Sequence, residues 1–194
     1  MSEHLLTLPI DSAQVQRLCI GDTVFLTGTI FTARDMAHLE IKRLLAEGKP
    51  LPVDLAGGAI FHAGPVVRKV GDGWEMIVIG PTTSIRMEPH ARMVGELGVK
   101  LIIGKGGMGP DSQAMFKQYK QAYLQAAPGC AVQIAAGVKR VAACLWPQNG
   151  MPEAMWVLEV EKLGPFIVTM DAEGNSRYEQ VKAAGRAKVK ELYG

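Results

Sequence analysis

Three observations predict an α/β fold with a mixed sheet for this chain. Its 194 residues include 22 glycines and 11 prolines, more than a helical bundle tolerates, and these fall in pairs such as GP and GG between β-branched runs. Few stretches carry apolar residues at helical intervals. Several strand-like runs are joined by short turns, which pairs them antiparallel and argues against a regular doubly wound sheet.

Taken in order, "DTVFLTGTIFT" (Asp22 to Thr32) alternates and is β-branched, so it reads as a strand. Thr32 and Asp35 stand at capping-box spacing before "ARDMAHLEIKRLLAEG", a helix that Gly48 closes. "AIFHAGPVVRKVGDGWEMIVIGP" (Ala59 to Pro81) reads as two strands joined at GDG, each ending at a Gly-Pro pair. A short helix over "RMVGEL" precedes "VKLIIGKGGMGP", a buried strand running into a glycine loop. "DSQAMFKQYKQAYLQAA" has helical periodicity up to Pro128-Gly129. "CAVQIAA" and "RVAACLW" suggest a strand pair, or a strand and a short connection. "AMWVLEVEKLGPFIVTMDAEGN" reads as a strand, a Gly-Pro break and a second strand, and residues 176–193 as a terminal amphipathic helix. With no internal repeat and no low-complexity linker, residues 1–194 read as one domain, long enough to bury a core.

Composition narrows the class further. The three cysteines, Cys19, Cys130 and Cys144, are odd in number, lack CxxC spacing and read as buried small hydrophobes in a reducing compartment. The amino terminus "MSEHLLTLPIDSAQ" has no basic segment followed by an apolar one, and no run reaches the roughly 20 apolar residues of a membrane helix, so a soluble cytoplasmic protein is expected. A formal net charge of +2, spread along the chain without aromatic interleaving, points to no nucleic acid.

Three stretches carry candidate chemistry. "GKGGMG" (Gly104 to Gly109) matches GxGxxG, but the acid a dinucleotide fold needs about 20 residues on is missing from "PGCAVQIAAGVKRVAACLW". It is not a P-loop, because Val99 stands where the first glycine belongs and Gly106 follows the lysine. The bland reading is a glycine-rich turn with a surface lysine; the preferred one is an anion cradle of loop N–H groups, a helix N-terminus and Lys105. In "TARDMAH", Arg34 occupies a first helical turn, where a cation opposes the helix dipole unless an anion meets it; Asp35 could satisfy it, and His38 lies one turn on. In "GPTTSIRMEPH", Thr82, Thr83 and Ser84 either cap the helix that follows or supply reactive hydroxyls beside Arg86. Arg34, Arg86 and Lys105 each follow a strand end, with hydroxyls and no carboxylate among them, an arrangement suited to a substrate with two carboxylates.

The segments "GTIFTARDMAH", "LPVDLAGGAIFHAGP", "GPTTSIRM" and "IGKGGM", in this order, resemble the β subunit of two-subunit class I fumarases and L(+)-tartrate dehydratases, equivalent to the C-terminal domain of the single-chain enzymes. The resemblance covers Gly21 to about Tyr178. It implies a swivelling β/β/α domain with a mixed sheet, and an iron-sulfur hydro-lyase that removes water from a 2-hydroxy dicarboxylate. The [4Fe-4S] cluster would be held by three cysteines of a partner α subunit, in an assembly the family suggests is α2β2, so this chain alone should lack iron and activity. By motif position, Thr82 would be the general base, with Thr83 or Ser84 able to exchange roles with it. Arg34, Arg86 and Lys105 would hold the substrate carboxylates and stabilise the alkoxide and the aci-carboxylate. Asp35 would orient Arg34 or cap its helix. His62 and Glu88 depart from the "YYxGP" and "RMD" of fumarases and favour L(+)-tartrate, converted to oxaloacetate, with His62 a candidate partner for the second hydroxyl. The alternatives are a fumarate hydratase β subunit and, from a different class, a stand-alone anion- or nucleotide-binding module.

Overall fold

The structure, a computed structural model, describes residues 1–193. The chain runs β1 (Glu3–Thr7), α1 (Ser12–Val15), β2 (Thr23–Thr32), α2 (Asp35–Ala46), β3 (Ala59–Phe61), β4 (Ala63–Val70), β5 (Gly73–Pro81), a 3-10 turn (Ser84–His90) and α3 (Ala91–Glu96). It continues through β6 (Leu101–Gly104), α4 (Pro110–Tyr119), β7 (Ala122–Gln125), α5 (Ala131–Ala135), β8 (Val138–Leu145), a short 3-10 turn (Pro147–Asn149), β9 (Met155–Met170) and α6 (Arg177–Tyr193).

A seven-stranded sheet has the order β1-β2-β3-β6-β7-β9-β8, and β2 also pairs with β9. Strands β2, β3, β6, β7 and β9 therefore close into a hydrogen-bonded ring. The pairs β1–β2, β2–β3, β3–β6 and β6–β7 are parallel, whereas β9 runs antiparallel to β2, β7 and β8. The sheet is thus mixed, as expected. Hairpin β4–β5 forms a separate two-stranded sheet.

Period-2 alternation in the short central strands sorts side chains into two cores. Ala59, Phe61, Leu101, Ile103, Ala122 and Leu124 enter one cluster with Val24, Leu158 and Phe166. Ile60, Ile102 and Tyr123 enter the other, against Ala37 and Ile41 of α2, Val94 of α3 and Phe116 of α4. At its carboxyl end the parallel set stays in register: Thr32 pairs with Phe61, Phe61 with Ile103, and Ile103 with Leu124. The loops after β2, β3 and β6 consequently leave from one edge.

Several sequence expectations are corrected. The helix expected to run to Pro128 stops at Tyr119, because Lys120 turns left-handed at φ 52° and the side-chain amide of Gln121 donates to the Val99 carbonyl at 2.8 Å. Ala122–Gln125 is then drawn into the sheet beside β6, with Ala122 and Leu124 in one core and Tyr123 in the other. Of the two readings of "CAVQIAA" and "RVAACLW", the strand pair fails and the strand with a short connection holds, the connection containing helix α5 and the strand being β8. The Gly64-Pro65 pair lies inside β4 rather than ending a strand. Gly164-Pro165 does not break β9, because a register shift opposite Val24 and Leu26 absorbs the residue that cannot donate. β1 was not anticipated. The cysteines are not buried: Cys19 is exposed, and Cys130 and Cys144 are half-buried. The terminal helix, expected over 176–193, spans Arg177–Tyr193. Among the described residues no helix is long and apolar enough to cross a membrane.

Candidate functional site

The stretch after β5 is stitched to the stretch after β6. The Thr82 amide donates to the His62 carbonyl at 2.7 Å, the Lys105 amide to the Thr82 carbonyl at 3.2 Å, and the Ser84 amide to the Lys105 carbonyl at 3.0 Å. Thr83 and Lys105 form an isolated parallel bridge. Threonine turn and glycine loop are thereby one surface, with Thr82 and Lys105 half-buried and Thr83 exposed.

The three hydroxyls do different things. Ser84 is fully buried, and its Oγ lies 2.9 Å from His62 Nδ1 and accepts from the Tyr123 hydroxyl at 2.9 Å. Ser84 thus ties the turn to β6 and β7, and it cannot exchange roles with Thr82, because its hydroxyl is enclosed and fully engaged. Gly104 is required here: a Cβ would stand 2.0 Å from Ser84 Oγ.

Burial of this network shows in its titration. Desolvation holds the His62 imidazole well below its ordinary range, helped by His38 and His90, and raises the Tyr123 phenol. With only 2% of its surface exposed, His62 cannot meet a substrate hydroxyl, which corrects the role considered for it. His38 is fully buried and its Nδ1 donates to the Arg34 carbonyl at 2.7 Å. It stacks on His90 at 5.0 Å, meets His62 edge-on at 5.5 Å, and burial lowers its pKa to about 4. It packs the underside of α2 and offers no surface to a ligand.

The glycine loop is not an anion cradle. The Gly106 amide donates to Gln125 Oε1 at 3.1 Å, and the Gly109 amide to Glu88 Oε2 at 2.8 Å. Glu88 also accepts from the Ser112 amide at 2.9 Å, so this chain's own carboxylate caps α4. Glu88, read in the sequence as a marker of substrate choice, is a helix cap. Gly107, at φ 73°, leaves room for the Tyr178 ring, which would stand 2.3 Å from a Cβ there.

The cations are less bare than the sequence suggests. Arg86 pairs with Asp35, joining the 3-10 turn to α2. Arg34 is the N-cap of α2, and its Nη2 pairs with Glu153 Oε1 at 3.1 Å. The expectation of three cations with no carboxylate among them is therefore corrected; among the described residues, Lys105 alone of the three joins no ion pair. Asp35 neither orients Arg34 nor caps the helix. The capping box does not form either: Thr32 Oγ1 is buried, donating to the Ala154 carbonyl and accepting from the Trp156 amide at 3.0 Å. The Met36 amide in the first turn of α2 instead donates to Glu153 Oε2 at 3.1 Å.

Glu153 is thus the site residue that sequence reasoning missed. It lies 117 positions beyond Met36, and no local pattern connects them. Backbone bonds join the Thr82–Ser84 turn, which follows β5, to His62 after β3 and Lys105 after β6; Arg34 follows β2, and Arg86 is tied back to α2 through Asp35. A groove of about 660 Å³ between the β4–β5 hairpin and β8 includes none of them.

Among the described residues no three His, Cys, Asp or Glu side chains gather as metal ligands. Cys19 precedes β2, Cys130 caps α5 and Cys144 lies in β8 paired with Trp156. This donor set does not fit an iron-sulfur cluster.

A family model described as the fumarase C-terminus matches residues 4–181. The chain is 46% identical over 175 residues to the L(+)-tartrate dehydratase subunit beta of Escherichia coli K12, covering 90% of this chain and 86% of that one. A chain of Methanocaldococcus jannaschii, provisionally named L(+)-tartrate dehydratase subunit beta, is 45% identical over 182 residues, with 93% of each covered. A protein of Geobacillus stearothermophilus, provisionally named class I fumarate hydratase, is 38% identical over 189 residues, which span 96% of this chain and 36% of that protein.

Proposed function

We propose, from the premise that this chain belongs to the fumarase C-terminus family, that it is the β subunit of a hydro-lyase that dehydrates L(+)-tartrate to oxaloacetate. The observation that carries the reading is the stitched turn: the Thr82 backbone is bonded to Lys105 while Ser84 is consumed inside, which leaves Thr82 as the half-buried hydroxyl beside a lysine.

In this reading Thr82 removes the proton next to a substrate carboxylate. An alcohol is a poor base at neutral pH, so the step depends on positive charge that stabilises the alkoxide and the aci-carboxylate. Lys105, joined to Thr82 through the backbone, supplies such a charge. The substrate's two carboxylates arrive as further partners for Arg34, Arg86 and Lys105, and Thr83, exposed on the same turn, offers a hydroxyl to the substrate. Binding energy gained at the arginines orients the carbon acid over Thr82.

The iron-sulfur cluster of the class belongs, in this proposal, to a partner α subunit, because the cysteines of this chain do not converge. The chain would act as a single domain, residues 1–194, in a cytoplasmic α2β2 assembly and be inactive alone. A fumarate or malate substrate is the second reading, supported by the name of the Geobacillus relative; His62, being buried, no longer bears on the choice. The nucleotide-binding alternative loses support because the loop amides of Gly106 and Gly109 are already engaged.

The test is anaerobic co-expression with an α-type chain and turnover of L(+)-tartrate, fumarate and malate side by side. Thr82→Ala is expected to lower kcat by at least roughly a hundredfold, the low end of general-base effects, with the complex intact. Turnover that survives this substitution rules out Thr82 as the base.

A further inference from the structure

Glu153 meets Arg34 in an arrangement that binding of substrate does not by itself require. One carboxylate divides its oxygens, Oε1 taking the Arg34 guanidinium at 3.1 Å and Oε2 the Met36 amide at 3.1 Å. Side chain and helix end are thus tied to a single point. Both side chains are largely enclosed, Arg34 at 20% and Glu153 at 19% exposure, so the pair is screened less than a surface ion pair.

The walls around Arg34 are equally specific. Its Nη1 would lie 2.5 Å from a Cβ on Gly64, and Pro152 Cβ lies 3.0 Å from the same point. The guanidinium therefore passes through a slot that glycine leaves open on one side and Pro152–Glu153 closes on the other. The Glu153 segment is itself anchored. The Glu153 and Ala154 amides donate to the Gly150 carbonyl at 3.1 and 2.9 Å, the Trp156 indole donates to the Met151 carbonyl at 2.8 Å, and Thr32 bonds the Ala154 carbonyl.

Energetics favour a positioning role over a charge-supplying one. A cation at a helix N-cap opposes the dipole, and without a partner this guanidinium would relax toward solvent. Glu153 offsets that cost and adds no positive charge, so any benefit to the reaction must come through geometry. We propose that Glu153 is the positioning residue for Arg34, holding its guanidinium at the edge of the sheet where a substrate carboxylate docks. This rests on the reading of Arg34 as a carboxylate ligand.

The reconstituted αβ complex tests it by steady-state kinetics with L(+)-tartrate, comparing Glu153→Gln, Glu153→Asp, Arg34→Ala and the double variant Arg34→Ala/Glu153→Gln. Glu153→Gln is expected to raise KM roughly tenfold, the low end of what outer partners of ligating side chains contribute, and to lower kcat by a smaller factor, because substrate is oriented less well while the base itself is untouched. Glu153→Asp keeps the charge and is expected to restore part of the affinity. In the Arg34→Ala background Glu153→Gln is expected to change nothing further, because its effect runs through Arg34. An additive double variant, an unchanged KM, or a KM that falls on Glu153→Gln would each overturn the proposal, the last by showing that Glu153 competes with substrate. An Arg34→Ala variant with unchanged KM would instead refute the role of Arg34 itself.

Discussion

Replacing Ser84 with alanine removes the hydroxyl at which the threonine turn, β6 and β7 meet. Ser84 Oγ sits 2.9 Å from both His62 Nδ1 and the Tyr123 hydroxyl, in a place with no solvent access. In Ser84→Ala the Tyr123 proton loses its acceptor and His62 Nδ1 its partner, and water cannot replace either. A buried polar group left unpaired costs about 1–3 kcal/mol, so two of them predict a loss of roughly 2–6 kcal/mol. At about 2–4 °C per kcal/mol for a chain of this size, the melting temperature should fall by roughly 4–24 °C in scanning calorimetry of the purified chain. Ser84→Ala/Tyr123→Phe should recover part of the loss, because an absent donor needs no acceptor. A Ser84→Ala chain that melts within about 1 °C of the parent and yet abolishes turnover in the complex would refute the reasoning and make Ser84 a reacting group.

Stability should fall with acid in a defined window. His38 has a pKa of about 4 in the fold against 6.5 in a free chain, so between those values the unfolded state binds more protons; the contribution is complete above 6.5 and lost as pH falls toward 4. Two and a half pKa units correspond to on the order of 3 kcal/mol, and His62, shifted in the same direction, adds to it. Urea unfolding from neutral pH downward should show this slope, shallower in His38→Gln. Gly107→Ala should loosen the junction with α6, since its Cβ meets the Tyr178 ring at a positive φ. A loss of about 1–3 kcal/mol and faster hydrogen exchange over Arg177–Tyr193 are the expected readouts.

Much of the fold was legible because it depends on local periodicity. The pattern of β2, the helical interval of α2 and the apolar run of β6 each satisfy one template and no other. Residues 120–127 are ambiguous in sequence because their apolar positions suit either a helical face or a fully buried strand; only pairing with β6 decides between them. The site was legible as far as strand ends and glycine punctuation go: Thr82, Lys105 and Arg34 all follow strands, but only the strands before Lys105 and Arg34 belong to one sheet, and backbone bonds to His62 and Lys105 bring the Thr82 turn to it.

By itself the sequence determined which residue types stand at which strand ends, and through its motifs the family. The tertiary structure alone decided which hydroxyl remains available and which cations are already paired. Both depend on distances between segments far apart in the chain: Ser84 is silenced by His62 and Tyr123, Arg34 is answered by Glu153, and Glu88 fills a helix end. Hydrogen bonds and ion pairs act over about 3 Å of space, and separation along the chain carries no information at that scale until the strands have closed.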